Sequence, residues 1–451
     1  MRKVDWHLLP ILTILYLLSF LDRANIGNAK LVGIGVKGAN YNTALALYFV
    51  GYVIWEVPAN IVLKRFNPKV WLPTLTLVWG IVSVCQGFVK NEAGLFVVRF
   101  FLGTAEAGLF PGVIYVFSVY YRRRERHWRV AVFFGGAAVS GAFGGILAWA
   151  IGKMNGVGGR PGWAWIFILE GLLTIVVAIA AYWLVPSWPE QASFLTPDEK
   201  AKLIARSKYD SAGISEQFKW KYVRQALTDH LVWAYALLFH GFAFVLYSLS
   251  LFMPTIIAGL GYTSWEAQLL TVPPYTFSAI CIGITAWLAS IYNRRATFII
   301  GSAVVAIIGE YILLIATHTA GRQYVGVHLA CAGVYTGNAL LLSWPGENVA
   351  PQTKRAVAVA MQISIGDLGA IAGVLIYRPE WAANRFRKPH IISIGYLVFS
   401  LVVTTWLWVW MARENRRRDR LMAGGEKELA REPDDEEVDQ GDQYIGWRYH
   451  T

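Results

Sequence analysis

A charged side chain embedded in a long apolar run is energetically expensive, so each such residue points to a partner or a task. Three runs carry them here. The first ends Leu21-Asp22-Arg23-Ala24-Asn25-Ile26-Gly27-Asn28, and apolar Leu31, Val32 and Ile34 follow closely, which puts the charged pair at depth. The competing reading is a helix end emerging among lipid headgroups. The second run holds Arg99, Gly103, Glu106, Gly108, Pro111 and Gly112. Arg99 and Glu106 are seven apart, so they share one helix face about 10 Å apart along the axis. That is too far for a direct pair, and Asp22 and Arg23 are the natural partners for each. A purely structural ion-pair network explains the same pattern. In the third run Tyr48, Tyr52, Glu56 and Asn60 recur every four residues, a polar stripe that must face a cavity or a neighbour. Pro58 suits a helix bent around such a cavity.

Other polar positions in apolar runs carry weaker signals. His240 and Asp367 are candidates to line a cavity, and Trp344-Pro345 is either an interfacial anchor or a binding group. Glu170 and Glu347 read as structural residues near the cytoplasmic face, and Glu310 also lies in an apolar run. Gly136, Ser140 and Gly144, four apart, read as a close helix-packing face. Cys85, Cys281 and Cys331 stand singly, without ligand spacing, so neither a disulfide nor a metal site is expected. No histidine pair at i, i+4 occurs, nor any HExxH, P-loop or GxSxG pattern, so no enzyme and no cofactor is expected.

The elements that must position these residues follow from composition. Of 451 residues 56% are hydrophobic and only 16% charged, against roughly 25% charged in soluble domains. Apolar runs of about 20 residues recur along the whole chain, each long enough to cross a bilayer, and in lipid such runs must be helices. Spans are predicted near 8–29, 42–63, 71–89, 94–120, 129–152, 163–185, 231–256, 268–291, 296–316, 325–345, 356–377 and 391–412. The expected fold is an all-α membrane protein of twelve transmembrane helices in two six-helix repeats. Residues 1–185 form one half and 231–412 the other. Residues 186–230 form a cytoplasmic linker with a short helix capped at Thr196 through Lys208, and 413–451 an acidic, disordered tail.

The net charge of +12 does not imply nucleic acid, because the cations cluster in alternate loops. Lys64, Arg65 and Lys69, the arginines from Arg122 to Arg129, Arg294, Arg295, Lys354 and Arg355 mark one side, which the positive-inside rule makes cytoplasmic together with both termini. Arg378, Arg385, Arg387 and Lys388 are exceptions on the other side.

The segments around Asp22-Arg23, Tyr52-Val-Ile-Trp-Glu56-Val-Pro58, Arg99 to Gly112 and Gly162-Trp163-Ala-Trp165-Ile-Phe-Ile-Leu-Glu170-Gly171 resemble the anion:cation symporter family of the major facilitator superfamily. Fungal allantoate and nicotinate permeases are the branch most resembled, over essentially the whole chain. The resemblance implies proton-coupled uptake of a small organic anion by a monomer, most simply in the plasma membrane, driven by the proton gradient. It implies proton-coupling roles for Asp22 and Glu106, and substrate contacts from Arg23, Arg99 and Tyr52. Tyr48, Glu56, His240, Trp344 and Asp367 are added as substrate-binding candidates on their positions. Three departures stand out. Lys64 replaces an acid of the general superfamily pattern, Ala289-Ser290-Ile291 replaces a charged loop, and Gly366 or Asp367 replaces a common asparagine. An acid at 367 bears on which substrate is accepted. An exchanger or facilitator without proton coupling, and a nutrient sensor that no longer transports, are the alternatives. Ser140-Gly141-Ala142-Phe143-Gly144-Gly145 lacks a Gly-Pro antiporter signature, which argues against exchange.

Overall fold

The computed structural model describes residues 1–36, 38–210, 219–316, 319–423 and 441–451, and among the described residues there are helices and no strands. Among the described residues, eleven segments are long and apolar enough to cross a membrane. They are α1 (Arg2–Leu31), α3 (Pro68–Gln86), α4 with α5 (Glu92–Glu106, Leu109–Tyr120), α6 (Arg123–Gly152), α7 (Gly162–Leu184), α10 (His230–Ala258), α11 with α12 (Ser264–Leu269, Val272–Tyr292), α13 (Arg295–Ile315), α14 with α15 (Ala320–Leu341, Trp344–Asn348), α16 (Gln352–Leu375) and α17 (Arg387–Ala423). A twelfth helix, α2 (Ala39–Arg65), has 27 residues. At 1.5 Å per residue it is about 40 Å long, and it carries the polar stripe.

Helix packing repeats between the halves. In the first, α1 packs on α6, α2 on α4 and α3 on α7; in the second, α10 packs on α16, α12 on α14 and α13 on α17. The contacts between halves repeat too, α6 meeting α12 as α16 meets α2, while α1 lies along α10. The same six-helix arrangement therefore occurs twice, joined face to face. Close approach of α2 and α4 depends on glycine. A Cβ on Gly103 would collide with the backbone carbonyl of Tyr48, and one on Gly51 with that of Phe100.

Three spans are broken, and a proline follows each break. Pro111, Pro274 and Pro345 have no N–H for the carbonyl four residues earlier, so the helix restarts there. The first break falls at Ala107-Gly108, directly after Glu106.

The linker begins as the sequence predicts. Glu199 N–H donates to Thr196 Oγ1 at 3.3 Å and Thr196 N–H to Glu199 Oε2 at 2.9 Å, opening α8 (Pro197–Asp210). Lys3 ties the chain start to this helix through Glu199 at 2.8 Å, and Arg129 holds Asp5 with two bonds of 2.7 and 2.9 Å. A second linker helix, α9 (Trp220–Thr228), was not expected. The expected disordered tail needs correction where it is described. α17 runs on to Ala423, and residues 441–451 pack against the second half; residues 424–440 lie outside the described residues. We call the face carrying both chain ends the terminal face.

Candidate functional site

Consecutive residues on a helix point about 100° apart, and at Asp22-Arg23 that rotation separates two networks. Arg23 turns to the interface between the halves with Tyr16, Ser19 and Phe20, its neighbours on that face. It is 5% exposed. Nη1 donates to Tyr247 Oη on α10 at 2.6 Å, and Nη2 reaches Glu106 Oε2 at 3.2 Å. The same carboxylate oxygen accepts from Ser19 Oγ at 2.8 Å and Tyr48 Oη at 2.7 Å. Rings surround the guanidinium, with centroids 5.0 Å (Tyr48), 5.3 Å (Tyr52), 5.5 Å (Tyr247) and 5.9 Å (Phe20) away. Glu106 Oε1 and Arg23 Nε are buried without protein hydrogen-bond partners. A cation balanced by one carboxylate in an aromatic enclosure can exchange that carboxylate for one on a ligand.

Asp22 faces the other way, into the first half. Ser83 Oγ on α3 donates to it at 2.9 Å and Thr174 Oγ1 on α7 at 3.1 Å. Arg99 is 1% exposed and within electrostatic reach of Asp22, Glu106, Tyr41 and Tyr48. Among the described residues it pairs with no carboxylate within 4 Å, so the direct Asp22–Arg99 partnership that the sequence suggests does not form. Its Nε and Nη2, both carboxylate oxygens of Glu170 and both amide atoms of Gln86 are buried without protein partners. Groups in that condition are met by water or by a change of protonation. Glu170 corrects a sequence expectation. α7 enters from the face opposite the terminal one, so its ninth residue lies deep beside Asp22 and not near the terminal face.

On the terminal side of Arg23 the halves meet again through α2 and α16. Ser364 Oγ donates to Glu56 Oε2 at 3.1 Å. Asp367, one turn further along α16, is buried within electrostatic reach of both Arg23 and Glu56, and its Oδ2 is unpartnered. On the opposite side Asn42 Nδ2 binds the carbonyls of Val374 and Tyr377 at 2.7 and 3.2 Å. A cavity of about 530 Å³ near that end, lined in part by Trp149, Lys153, Trp265 and Gln268, is separate from the Arg23 cluster.

Arg23, Glu106, Tyr48, Tyr52, Glu56 and Asp367 are thus gathered at the interface, with Arg99 and Asp22 just behind. Two candidates are not. His240 Nδ1 contacts the Ile365 carbonyl at 2.9 Å and its ring lies 5.8 Å from Tyr396, within the helix packing of the second half. Trp344 is fully buried at the terminal face, its Nε1 bound to the His450 carbonyl at 2.8 Å. Sequence reasoning missed Tyr247, Ser19 and Ser364. Tyr247 shares a helix face with His240, seven residues earlier, and is the polar group in the middle of that run; this was the available signal. Serines are common in membrane helices and gave none.

Comparison with known proteins gives a consistent result. The profile of the Major Facilitator Superfamily matches residues 12–374. An uncharacterized transporter of Schizosaccharomyces pombe is 34% identical over 96% of this chain and 88% of its own. The MFS transporter prlL of a fungal species is 34% identical over 94% of this chain and 88% of its own. The major facilitator-type transporter hxnP of Emericella nidulans is 28% identical over 99% and 92%. Among solved structures, the proton:xylose symporter XylE superposes with a TM-score of 0.72 at 14% identity, covering 89% of this chain and 95% of that one. A bacterial homolog of the lysosomal transporter Spinster, inward-facing and unoccupied, gives 0.68 at 16% identity over 90% and 97%.

Proposed function

The chain belongs to the Major Facilitator Superfamily, and from that premise we propose that this transporter is a proton-coupled symporter of a small organic carboxylate. The observation that carries the reading is the Arg23–Glu106 pair, 3.2 Å apart, buried at the interface of the two halves and bonded across it to Tyr247. With Glu106 ionised, Arg23 is internally neutralised. A proton on Glu106 frees the guanidinium, and the substrate carboxylate takes the vacated place, so the two bind together. Tyr48, Tyr52 and Tyr247 enclose the substrate, and Arg99 extends the positive field from behind. Asp22 is the second proton site, linked to the first through Arg99. Glu56 and Asp367 close the terminal side of the site and favour a substrate with a hydrogen-bond donor at the end remote from its carboxylate. The halves then rock about this site to expose it on alternate faces. We place the protein in the plasma membrane as a monomer, with both termini cytoplasmic.

The test is uptake of a panel of labelled carboxylates into vesicles containing the protein, with and without an inward-acid gradient, while internal pH is recorded. Gradient-driven accumulation with matching proton entry supports symport. Uptake that only equilibrates indicates a facilitator or exchanger and reduces the acid pairing to structure. No uptake of any member of the panel favours the sensor.

A further inference from the structure

The terminal-face end of the second half reads a peptide backbone. Asn415 Nδ2 donates to the Tyr449 carbonyl and its Oδ1 accepts the Tyr449 N–H, both at 2.9 Å. Asn348 does the same for His450, donating to its carbonyl at 3.0 Å and accepting its N–H at 2.7 Å. Trp344 Nε1 adds a second donor to the His450 carbonyl. Arg418 spans three more carbonyls, those of Asp442, Tyr444 and Trp447, at 3.0–3.1 Å. Two amide side chains satisfying consecutive peptide units, beside a guanidinium over three carbonyls, form a built receptor for a segment that opens with one helical turn at Gly441–Gln443 and leaves regular structure from Trp447 on.

The occupant is also bonded through one of its own side chains. Asp442 accepts from Lys354 Nζ with both oxygens at 2.8 Å, and Lys354 also pairs with Asp229 at 2.5 Å. Ala350 N–H donates to Asp442 Oδ2 at 3.3 Å, and Arg295 N–H to the Thr451 carbonyl at 2.9 Å. The segment therefore touches the starts of α13 and α16, the short helix α15 and the end of α17, and is linked to the start of α10 through the Lys354–Asp229 pair. α10 carries Tyr247 and α16 carries Ser364 and Asp367, so two of the strapped helices line the central site.

We infer that residues 441–450 are a releasable strap. They occupy a peptide-binding groove on the second half, and their occupancy holds the terminal-face ends of that half in the conformation seen here, against the alternate-access state. A contact made in only one of two states shifts the population toward it by its differential free energy. Release of the strap therefore moves the protein toward the other state.

The test uses the full chain in nanodiscs and needs no substrate. Hydrogen exchange is measured at the Tyr449 and His450 amides. Electron-spin distances are measured between labels at Val70→Cys, in the first turn of α3, and Arg294→Cys, just before α13, at the terminal face of the two halves, with Cys85, Cys281 and Cys331 replaced by alanine. In the otherwise native chain both amides are expected to be protected and the distance distribution narrow. Asn348→Ala with Asn415→Ala should speed exchange at both amides by about tenfold or more and add a second distance population. Asp442→Ala, which changes no residue of a membrane-spanning helix, should do the same to a lesser degree. Unprotected amides in the native chain would overturn the groove. A freed segment with an unchanged distance distribution in the Asp442 variant would overturn its control over conformation.

Discussion

Arg23 and Tyr247 lie 224 positions apart in the chain and meet at 2.6 Å, the first half donating to the second through a single guanidinium nitrogen. The bond sits between the pairings that close either side of the interface, Asn42 with the end of α16 and Glu56 with Ser364. A residue that bridges the halves and neutralises an acid at once is sensitive to both.

Tyr247→Phe keeps the ring beside Arg23 and removes only the acceptor. An unpartnered polar group in a buried site costs about 1–3 kcal/mol, so the KM for a transported carboxylate should rise about tenfold with little change in maximal rate. Concentration-dependent uptake measures this. An unchanged KM would mean that the bond is dispensable for substrate binding.

Glu106 and Asp22 should separate in their effects. Glu106→Gln removes the charge facing Arg23 while keeping the bonds from Ser19 and Tyr48 feasible. That variant is expected to exchange substrate across the membrane but not accumulate it against a gradient. Asp22→Asn, acting on the network of Ser83 and Thr174, should lower the ratio of protons to substrate and leave exchange intact. Simultaneous recording of substrate and internal pH decides; full accumulation by the glutamine variant would remove Glu106 from proton coupling.

The fold was largely legible because a bilayer allows few solutions. Apolar runs of spanning length, alternating basic loops and a hydrophilic break at mid-chain leave little besides a twelve-helix arrangement of two halves. The site was legible where a residue is costly enough to announce itself, as with Arg23, Glu106, Glu56 and Asp367. Direction was not legible. Nothing in the pair Asp22-Arg23 says that one turns to the interface and the other into the first half, because that depends on where the neighbouring helices lie. Hydroxyl partners such as Ser364 were invisible for a similar reason, being inexpensive in any helix. The segment after 440 looked disordered from its acidic surroundings, yet its bonds are made by backbone groups, which composition does not reveal.

Glycine at 103 is a packing requirement with a functional consequence. A methyl group there meets the Tyr48 carbonyl itself, so Gly103→Ala must push α2 away from α4 and carry the Tyr48 hydroxyl off Glu106. Overpacking of this kind costs about 1–3 kcal/mol. A lowered unfolding temperature in detergent together with reduced accumulation is expected. Gly135→Ala is the control, since nothing lies within 4 Å of a Cβ at that position, and it should match the native chain in both measurements. Equal behaviour of the two variants would show that the α2–α4 approach has slack.

Docking of the terminal segment should depend on pH through Asp442. Burial raises its carboxyl above the ordinary range, and Lys354 only partly offsets this. Asp229, sharing Lys354, pushes in the same direction as burial, while Tyr449 and Arg418 complete its surroundings. An acid with a higher pKa docked than free binds its proton more tightly in the docked state. Docking is therefore strongest at low pH and weakens as pH rises from the ordinary carboxylate range through the docked value. Protection of the Tyr449 and His450 amides, corrected for the intrinsic pH dependence of exchange, should increase on acidification. Asp442→Asn, which keeps the shape and removes the titration, should flatten that dependence. A flat profile in the native chain, or an unchanged slope in the asparagine variant, would assign the docking energy to Asn348, Asn415 and Arg418 alone.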